Sequence, residues 1–257
     1  MREMMTGVPG RDPRAEGAAT GLHDDVALVL MHGAGLGAWI WRDVVPELST
    51  PAIAVDFPAR ADPEARRALT FDDYVSHVEA QARELAARRI VLVAHSIAGV
   101  LAPRLLRALG ERAAGLMAVS AVIPANGGSF LSALPLARRL PLTLILRLLG
   151  TRPPESAIRK GQCNDLDAAT ADEVVRRFAP ESRALYTGSG GAELPRLPSL
   201  YVLLTADAEL ALPLQRSMAA RLAAQTAEVA AGHLAMLSRP SALARVIDRF
   251  TARLTPE

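Results

Sequence analysis

Ile90-Val91-Leu92-Val93-Ala94-His95-Ser96-Ile97-Ala98-Gly99-Val100-Leu101-Ala102 begins as a run of aliphatic residues and ends as an apolar, Ala-containing helix. The first half has the composition of a strand buried on both faces. A sharp turn at His95-Ser96 separates the two halves. Strand, tight turn and helix, with a serine at the turn, is the context of a nucleophile elbow. Such a turn presents the serine hydroxyl at the C-terminal edge of a sheet. The helix that follows aims its free N–H groups and the positive end of its dipole at the same point. Negative charge developing on a substrate oxygen there meets donors fixed in advance. The usual pattern is Gly-x-Ser-x-Gly. Here Ala94 and Ala98 replace both glycines, and the next glycine is Gly99. Alanine is the next smallest side chain, so the turn is possible but tighter. A serine N-cap on a buried helix is the competing reading, and the rest of the chain has to decide.

Outward from this stretch, strands and helices alternate. Val26–Met31 reads as a buried strand running into the glycine-rich loop His32-Gly33-Ala34-Gly35-Leu36-Gly37. A helix is expected from Ala38 to about Leu48, a strand over Ala52–Asp56 and a surface loop over Phe57–Thr70. An amphipathic helix follows over Phe71–Ala87, capped by Thr70. Gly115–Val122 reads as another strand. Between Ala125 and Pro198 the alternation stops. Leu134–Leu149 is strongly apolar but punctuated by Arg138, Arg139, Pro141 and Arg147. Ala168–Phe178 and Glu181–Tyr186 read as short helices, and together these segments have the composition of a helical cap over a pocket. A structural insertion that caps nothing is the plainer alternative. Ser199–Thr205 and Ala227–Ala230 are strands, Leu214–Ala223 and Arg239–Leu254 helices. The expected fold is therefore α/β: a doubly wound, mostly parallel six-stranded sheet with a helical insertion. Its parts are a tail over 1–24, a core over 25–124 and 199–257, and the cap over 125–198. Ligands of such sheets bind beyond the C-terminal strand ends. The Gly33 loop, Ser96, Asp207 and His233 all fall there.

Composition narrows the function. The chain has 257 residues, half of them hydrophobic, enough for one sizeable core. Lys+Arg 29 against Asp+Glu 27 leaves a net charge of +2, no footprint for nucleic acid. The single Cys163 excludes an internal disulfide and a cysteine-built metal site. No metal and no cofactor are expected, since no flavin, dinucleotide or P-loop pattern is present. The first 25 residues lack the apolar core of a signal peptide, and no uncharged apolar run reaches the ~18 residues of a membrane span. The expectation is a cytoplasmic protein acting on a small-molecule substrate, with a homodimer left open.

A serine hydroxyl needs a base to become a nucleophile near neutral pH. His233, on the loop after the last strand, is the candidate. His23 lies in the tail, His77 within a helix, His32 at the end of a strand and His95 inside the elbow, where packing or a backbone bond suits it better. The base in turn needs a carboxylate to hold its tautomer. Asp207 and Glu209 both follow the strand ending at Thr205, and alternation alone does not choose between them. No Asp or Glu lies near the end of Gly115–Val122. Two backbone donors are expected to face the oxyanion: Ile97 N–H and Ala34 N–H.

At His32-Gly33-Ala34-Gly35-Leu36-Gly37-Ala38-Trp39-Ile40-Trp41 the chain resembles the plant methylesterase and hydroxynitrile lyase branch of the α/β-hydrolase superfamily. It resembles still more the small bacterial hydrolases related to that branch. The likeness continues through Asp56-Phe57-Pro58, the elbow, Val122-Ile123-Pro124 with Gly127, and Gly232-His233-Leu234-Ala235-Met236-Leu237-Ser238-Arg239-Pro240. It implies an α/β-hydrolase fold, a Ser96-His233-Asp207 triad, oxyanion donors at Ala34 and Ile97, and a helical cap shaping an apolar pocket. The family carries a Gln eight residues after the catalytic Asp. Gln215 stands at that distance from Asp207, which prefers Asp207 to Glu209. The lyases carry a lysine after the catalytic histidine. Leu234 stands there, against cyanohydrin cleavage. Pocket residues are not legible. A carboxylesterase leads, ahead of a non-hydrolytic lyase or cyclase on the same fold and of a ligand-binding receptor.

Overall fold

The computed structural model describes residues 25–191 and 194–254. The expected tail over 1–24 lies outside them. Six strands form one parallel sheet in the order β2-β1-β3-β4-β5-β6. They are β1 (Val26–Met31), β2 (Ala52–Val55), β3 (Arg89–His95), β4 (Ala113–Val119), β5 (Ser199–Leu204) and β6 (Gln225–Val229). Every residue of β1, and of β3 after Arg89, is buried, because helices cover both faces. Along β1 and β3, side chains alternate between two cores. Val29, Met31, Leu92 and Ala94 belong to one, Leu28, Leu30, Val91 and Val93 to the other. The first core is closed by α2 (Phe71–Arg83), α3 (Ala102–Leu109) and α9 (Leu212–Arg221), through Val78, Leu105 and Met218. The second is closed by α11 (Pro240–Thr251) and by Ile40 and Trp41.

Thr70 caps α2 as expected, in a capping box with Asp73. Several expected boundaries move for local reasons. The helix expected over Ala38–Leu48 is two 3₁₀ turns, Ala38–Trp41 and Val45–Glu47. Pro46 has no N–H to continue an α-helical ladder. The expected loop over Phe57–Thr70 contains α1 (Pro63–Ala68), which Asp62 caps through the N–H groups of Glu64 and Ala65. Proline at the first helical position suits that start. β4 ends at Val119 rather than Val122, because Ser120, at φ 39°, turns the chain out of the sheet.

Between β4 and β5 the described residues form no strand. They form α4 (Phe130–Ala133), α5 (Leu136–Leu148), α6 (Glu155–Gly161), α7 (Ala168–Arg177) and α8 (Arg183–Thr187). α5 turns Leu146 inward and leaves Leu136, Leu140, Leu144 and Leu148 in contact with solvent. The short α10 (Ala235–Ser238) links the loop after β6 to α11. No helix among the described residues is long and apolar enough to cross a membrane.

Candidate active site

β3 delivers its last residue, His95, to the sheet edge, and the chain reverses at Ser96 with φ 55°. A non-glycine residue in the left-handed region is strained and persists only where its surroundings hold it. Three observations account for the hold. Ser96 C=O accepts a hydrogen bond from Val122 N–H at 2.9 Å. Ala94 and Ala98 are fully buried, leaving no room for larger side chains. At Gly99 a Cβ would stand 2.5 Å from the Val122 carbonyl oxygen. The close approach that the usual motif assigns to its two glycines is thus concentrated one residue later. The segment continues as a 3₁₀ turn, Ser96–Val100, before α3, not as one helix.

The sheet edge brings together three side chains from distant parts of the chain. His233 Nε2 lies 3.1 Å from Ser96 Oγ, and His233 Nδ1 lies 2.8 Å from Asp207 Oδ2. Asp207 Oδ1 accepts the N–H groups of Glu209 and Leu210 at 2.7 and 2.9 Å, and Oδ2 accepts Ser120 Oγ–H at 2.6 Å. Burial pushes the Asp207 carboxyl up. The His233 charge and the hydrogen bonds from His233, Ser120 and Leu210 together outweigh this, and the carboxyl falls to about 2. His233 answers in the opposite sense. Burial lowers its pKa, but the adjacent Asp207 carboxylate raises it, net, above the ordinary histidine value of 6.5. With Asp207 on Nδ1–H, the Nε2 lone pair is the one turned to Ser96. Glu209 makes no hydrogen bond to His233 among the described residues, but its charge also helps to raise the His233 pKa. Its exposed side chain approaches Gly161 and lines the pocket over Ser96. Gln215, buried, accepts Leu204 N–H and donates to the carbonyls of Leu204 and Leu210, which fixes the loop carrying Asp207.

The other histidines hold the frame. His95 Nε2–H donates to the His233 carbonyl at 3.0 Å, and its ring lies 4.7 Å from that of His233. Burial, then the neighbouring His233, holds the His95 pKa well below 6.5, so it is a neutral prop under the base. His32 donates through Nδ1 to Gly33 C=O and accepts Phe57 N–H at Nε2. Burial lowers its pKa to about 3. Its 3.8 Å approach to Asp56 is therefore not an ion pair.

Ala34 and Ile97 line the same pocket as Ser96. Ile97 N–H lies in the first turn after the elbow, where helical acceptors are lacking. In the neighbouring loop Gly35 N–H is committed to Glu181 Oε1 at 3.2 Å and Leu36 N–H to Gly33 C=O, while Ala34 N–H has no protein acceptor among the described residues. Gly35 adopts φ 78°, and a Cβ on it would enter the Phe178 ring. Two residues escaped the sequence reading. Ser120, the second partner of Asp207 Oδ2 beside His233, was hidden within an expected strand. Glu181 has a buried carboxylate that joins Gly35 N–H, Tyr74 Oη–H at 3.0 Å and the Arg60 guanidinium. Its only sequence signal is an acid in an otherwise apolar helical segment.

Two cavities open onto Ser96 and His233. One of about 280 Å³ is lined by Ala34, Phe130, Leu142, Ile145 and Phe178. The other, about 460 Å³, is bordered by Leu134, Arg138, Leu142 and Ile145. Both are mostly apolar, with Glu209 shared between them. Among the described residues no group of His, Cys, Asp and Glu could hold a metal ion. The arrangement can deprotonate a hydroxyl beside an apolar pocket and meet developing negative charge with backbone N–H groups.

A family model described as the alpha/beta hydrolase family matches residues 28–246. Among solved structures, the chain is similar to a pyrethroid hydrolase from Sphingobium faniae JZ-2 at 21% identity, TM-score 0.72, covering 88% of this chain and 98% of that one. It is similar to an extracellular alpha/beta-hydrolase from a Paenibacillus species, described as sharing structural and functional homology with tobacco salicylic acid binding protein 2. There the identity is 17% and the TM-score 0.76, with 90% and 100% covered. A methylesterase from Arabidopsis matches at 16% identity, TM-score 0.72, with 89% and 99% covered.

Proposed function

The chain belongs to the alpha/beta hydrolase family, and from that premise we propose that it is a carboxylesterase working through Ser96, His233 and Asp207. The observation that carries the reading is the continuous hydrogen-bonded chain Ser96 Oγ, His233 Nε2, His233 Nδ1, Asp207 Oδ2, at 3.1 and 2.8 Å, ending in an apolar pocket. His233 Nε2 takes the Ser96 proton as Oγ bonds to the ester carbonyl carbon. The C=O electron pair moves onto oxygen, and that oxyanion is met by Ala34 and Ile97 N–H. The intermediate collapses, the C–O bond to the alcohol breaks, and His233 returns its proton to the leaving alkoxide. Water, deprotonated by His233, then attacks the acyl-Ser96 ester, and the carboxylic acid leaves as Ser96 regains its proton.

Helices α4–α8, within residues 125–198, act as a cap, with Phe130, Leu142 and Ile145 forming the ceiling over Ser96. The linings suit a small to medium, largely apolar ester. The neighbours described as a pyrethroid hydrolase and a methylesterase accord with this class. A fluorophosphonate probe with mass spectrometry, and hydrolysis of 4-nitrophenyl esters from acetate to decanoate, test the reading together. The expected result is one adduct, on Ser96, and a loss of several orders of magnitude in kcat for a folded Ser96→Ala variant. An unlabelled Ser96 in folded protein would point instead to a non-hydrolytic or receptor role. Undiminished turnover by Ser96→Ala would remove the acyl-enzyme altogether.

A further inference from the structure

A third cavity, about 420 Å³, lies between α1, the C-terminal end of α5 and the segment around Glu181. Five arginines line it: Arg66, Arg67, Arg147, Arg152 and Arg183. None of the five forms an ion pair, although most of the ion pairs among the described residues are made by other arginines. The one acid in the lining, Glu181, is already committed to Arg60, Tyr74 and Gly35.

Arg66 is the most telling of them. Its side chain is buried, 4% exposed as a residue, yet no carboxylate meets it. Nε donates to Pro180 C=O at 2.7 Å, and Nη1 donates to the carbonyls of Ala59 and Arg60 at 3.2 and 2.8 Å. Nη2 meets no acceptor among the described residues, and Arg66 lines the cavity. Arg152 is likewise oriented by backbone, donating to Phe178 and Val175 C=O. A buried guanidinium without a counter-charge is costly unless something supplies one. Backbone carbonyls fix the direction of these two forks without neutralising them. Only Arg66 is buried, while Arg152, like Arg67, Arg147 and Arg183, is exposed and adds charge around the same concavity. Low-dielectric walls concentrate that field. Planar, always-charged guanidinium forks match the oxygens of a phosphate group better than any other side chain does.

We propose that this cleft is a binding site for a phosphate-bearing group, held by Arg66 and Arg152 at its wall and by Arg67, Arg147 and Arg183 at its rim. It stands independently of the esterase reading. Leu146, Gly150, Thr151 and Arg152 line both this cleft and the apolar pocket over Ser96, so one layer of residues separates the two. Leu149, in the cleft lining, is 76% exposed, which leaves an apolar surface at the mouth. The phosphate therefore belongs either to a soluble phosphate ester or to a lipid headgroup.

Isothermal titration of the full chain with pyrophosphate, in 0.15 M NaCl to screen diffuse surface charge, tests the site. The expected result is saturable binding to one site, weakened at least tenfold in Arg147→Gln/Arg183→Gln. These exposed changes leave the core untouched. Arg139→Gln, on α5 but outside the cleft lining, serves as the control and should bind as the parent does. Flotation with vesicles of phosphatidylcholine containing one-fifth phosphatidic acid distinguishes the source. Vesicle binding lost in the double variant assigns the phosphate to a lipid, and pyrophosphate binding without vesicle binding assigns it to a soluble ester. No saturable pyrophosphate binding, or equal weakening by Arg139→Gln and the double variant, overturns the proposal.

Discussion

At the scale of single residues, Asp207 and its neighbours should set the working pH of the proposed reaction. Ser120, Glu209 and Leu210 hold the carboxylate so that only its Oδ2 edge meets His233. Since that carboxylate raises His233 above 6.5, kcat/KM for an ester should rise with pH through a limb above 6.5, as His233 loses its proton. Asp207→Asn should do two things at once. It removes the charge that opposes burial, so the His233 pKa falls and the limb moves to lower pH. It also leaves the imidazole badly oriented, with a loss on the order of 10³–10⁴ in kcat. A pH–rate profile of the two proteins on one ester reads both effects. An unmoved limb would mean that Asp207 does not set the His233 charge. Glu209→Gln, by contrast, should change KM more than kcat, because its carboxylate faces the pocket rather than the base. The choice of Asp207 over Glu209 was legible through the spacing to Gln215. The physical reason for that spacing appears only in three dimensions, where Gln215 clamps the carbonyls and N–H of the loop. Ser120 was not legible, since a hydroxyl at a strand end has many ordinary uses.

At the scale of elements, the buried strands were readable because continuous aliphatic runs bounded by turns have few other homes. Five of the six strands fall on such a run or overlap it; the edge strand β6, mostly exposed and carrying Gln225, Thr226 and Glu228, does not. The 38–48 segment misled because Ile40, Trp41 and Val44 bury one side as a helix would, with Trp39 partly buried against them, while Pro46 and short 3₁₀ turns do the folding. The elbow is the element where sequence and geometry diverge most usefully. Two alanines stand where glycines are usual, yet the tight contact has moved to Gly99 and the Val122 carbonyl. Gly99→Ala should therefore be the damaging change in this motif. Backbone cannot yield as a flexible side chain does, so the cost should be about 1–3 kcal/mol, with kcat falling as Ser96 shifts from His233. Thermal unfolding and ester turnover measured together check it. A Gly99→Ala protein with parental Tm and kcat would show that the elbow relaxes freely.

At the scale of the whole molecule, a buried polar junction around Glu181 helps to join the helical segment to the sheet edge. Glu181, between α7 and α8, binds Arg60 from the loop after β2, Tyr74 from α2 and the Gly35 N–H beside the expected oxyanion donor Ala34. Ala179 N–H donates to Gly35 C=O at 2.8 Å, so both polar groups of that peptide position are held from the helical segment. Burial raises the Glu181 pKa against the pull of Arg60. No sequence pattern could announce this junction, because it links residues 121 apart that share no periodicity. Two substitutions separate its roles. Glu181→Gln keeps an oxygen acceptor for Gly35 N–H and turns its amide N–H toward Tyr74 Oη, but strands the Arg60 charge. It should cost on the order of 3 kcal/mol, a fall of roughly 6–12 °C in Tm for a domain of this size, with kcat little changed. Glu181→Leu removes the acceptor as well. If the junction positions the oxyanion loop, kcat should fall roughly tenfold further, with KM nearly constant, because the lost interaction is one the loop needs only when charge develops. Equal kcat values in the two variants, both still folded at the assay temperature, would reduce Glu181 to a structural anchor and leave the loop to hold itself.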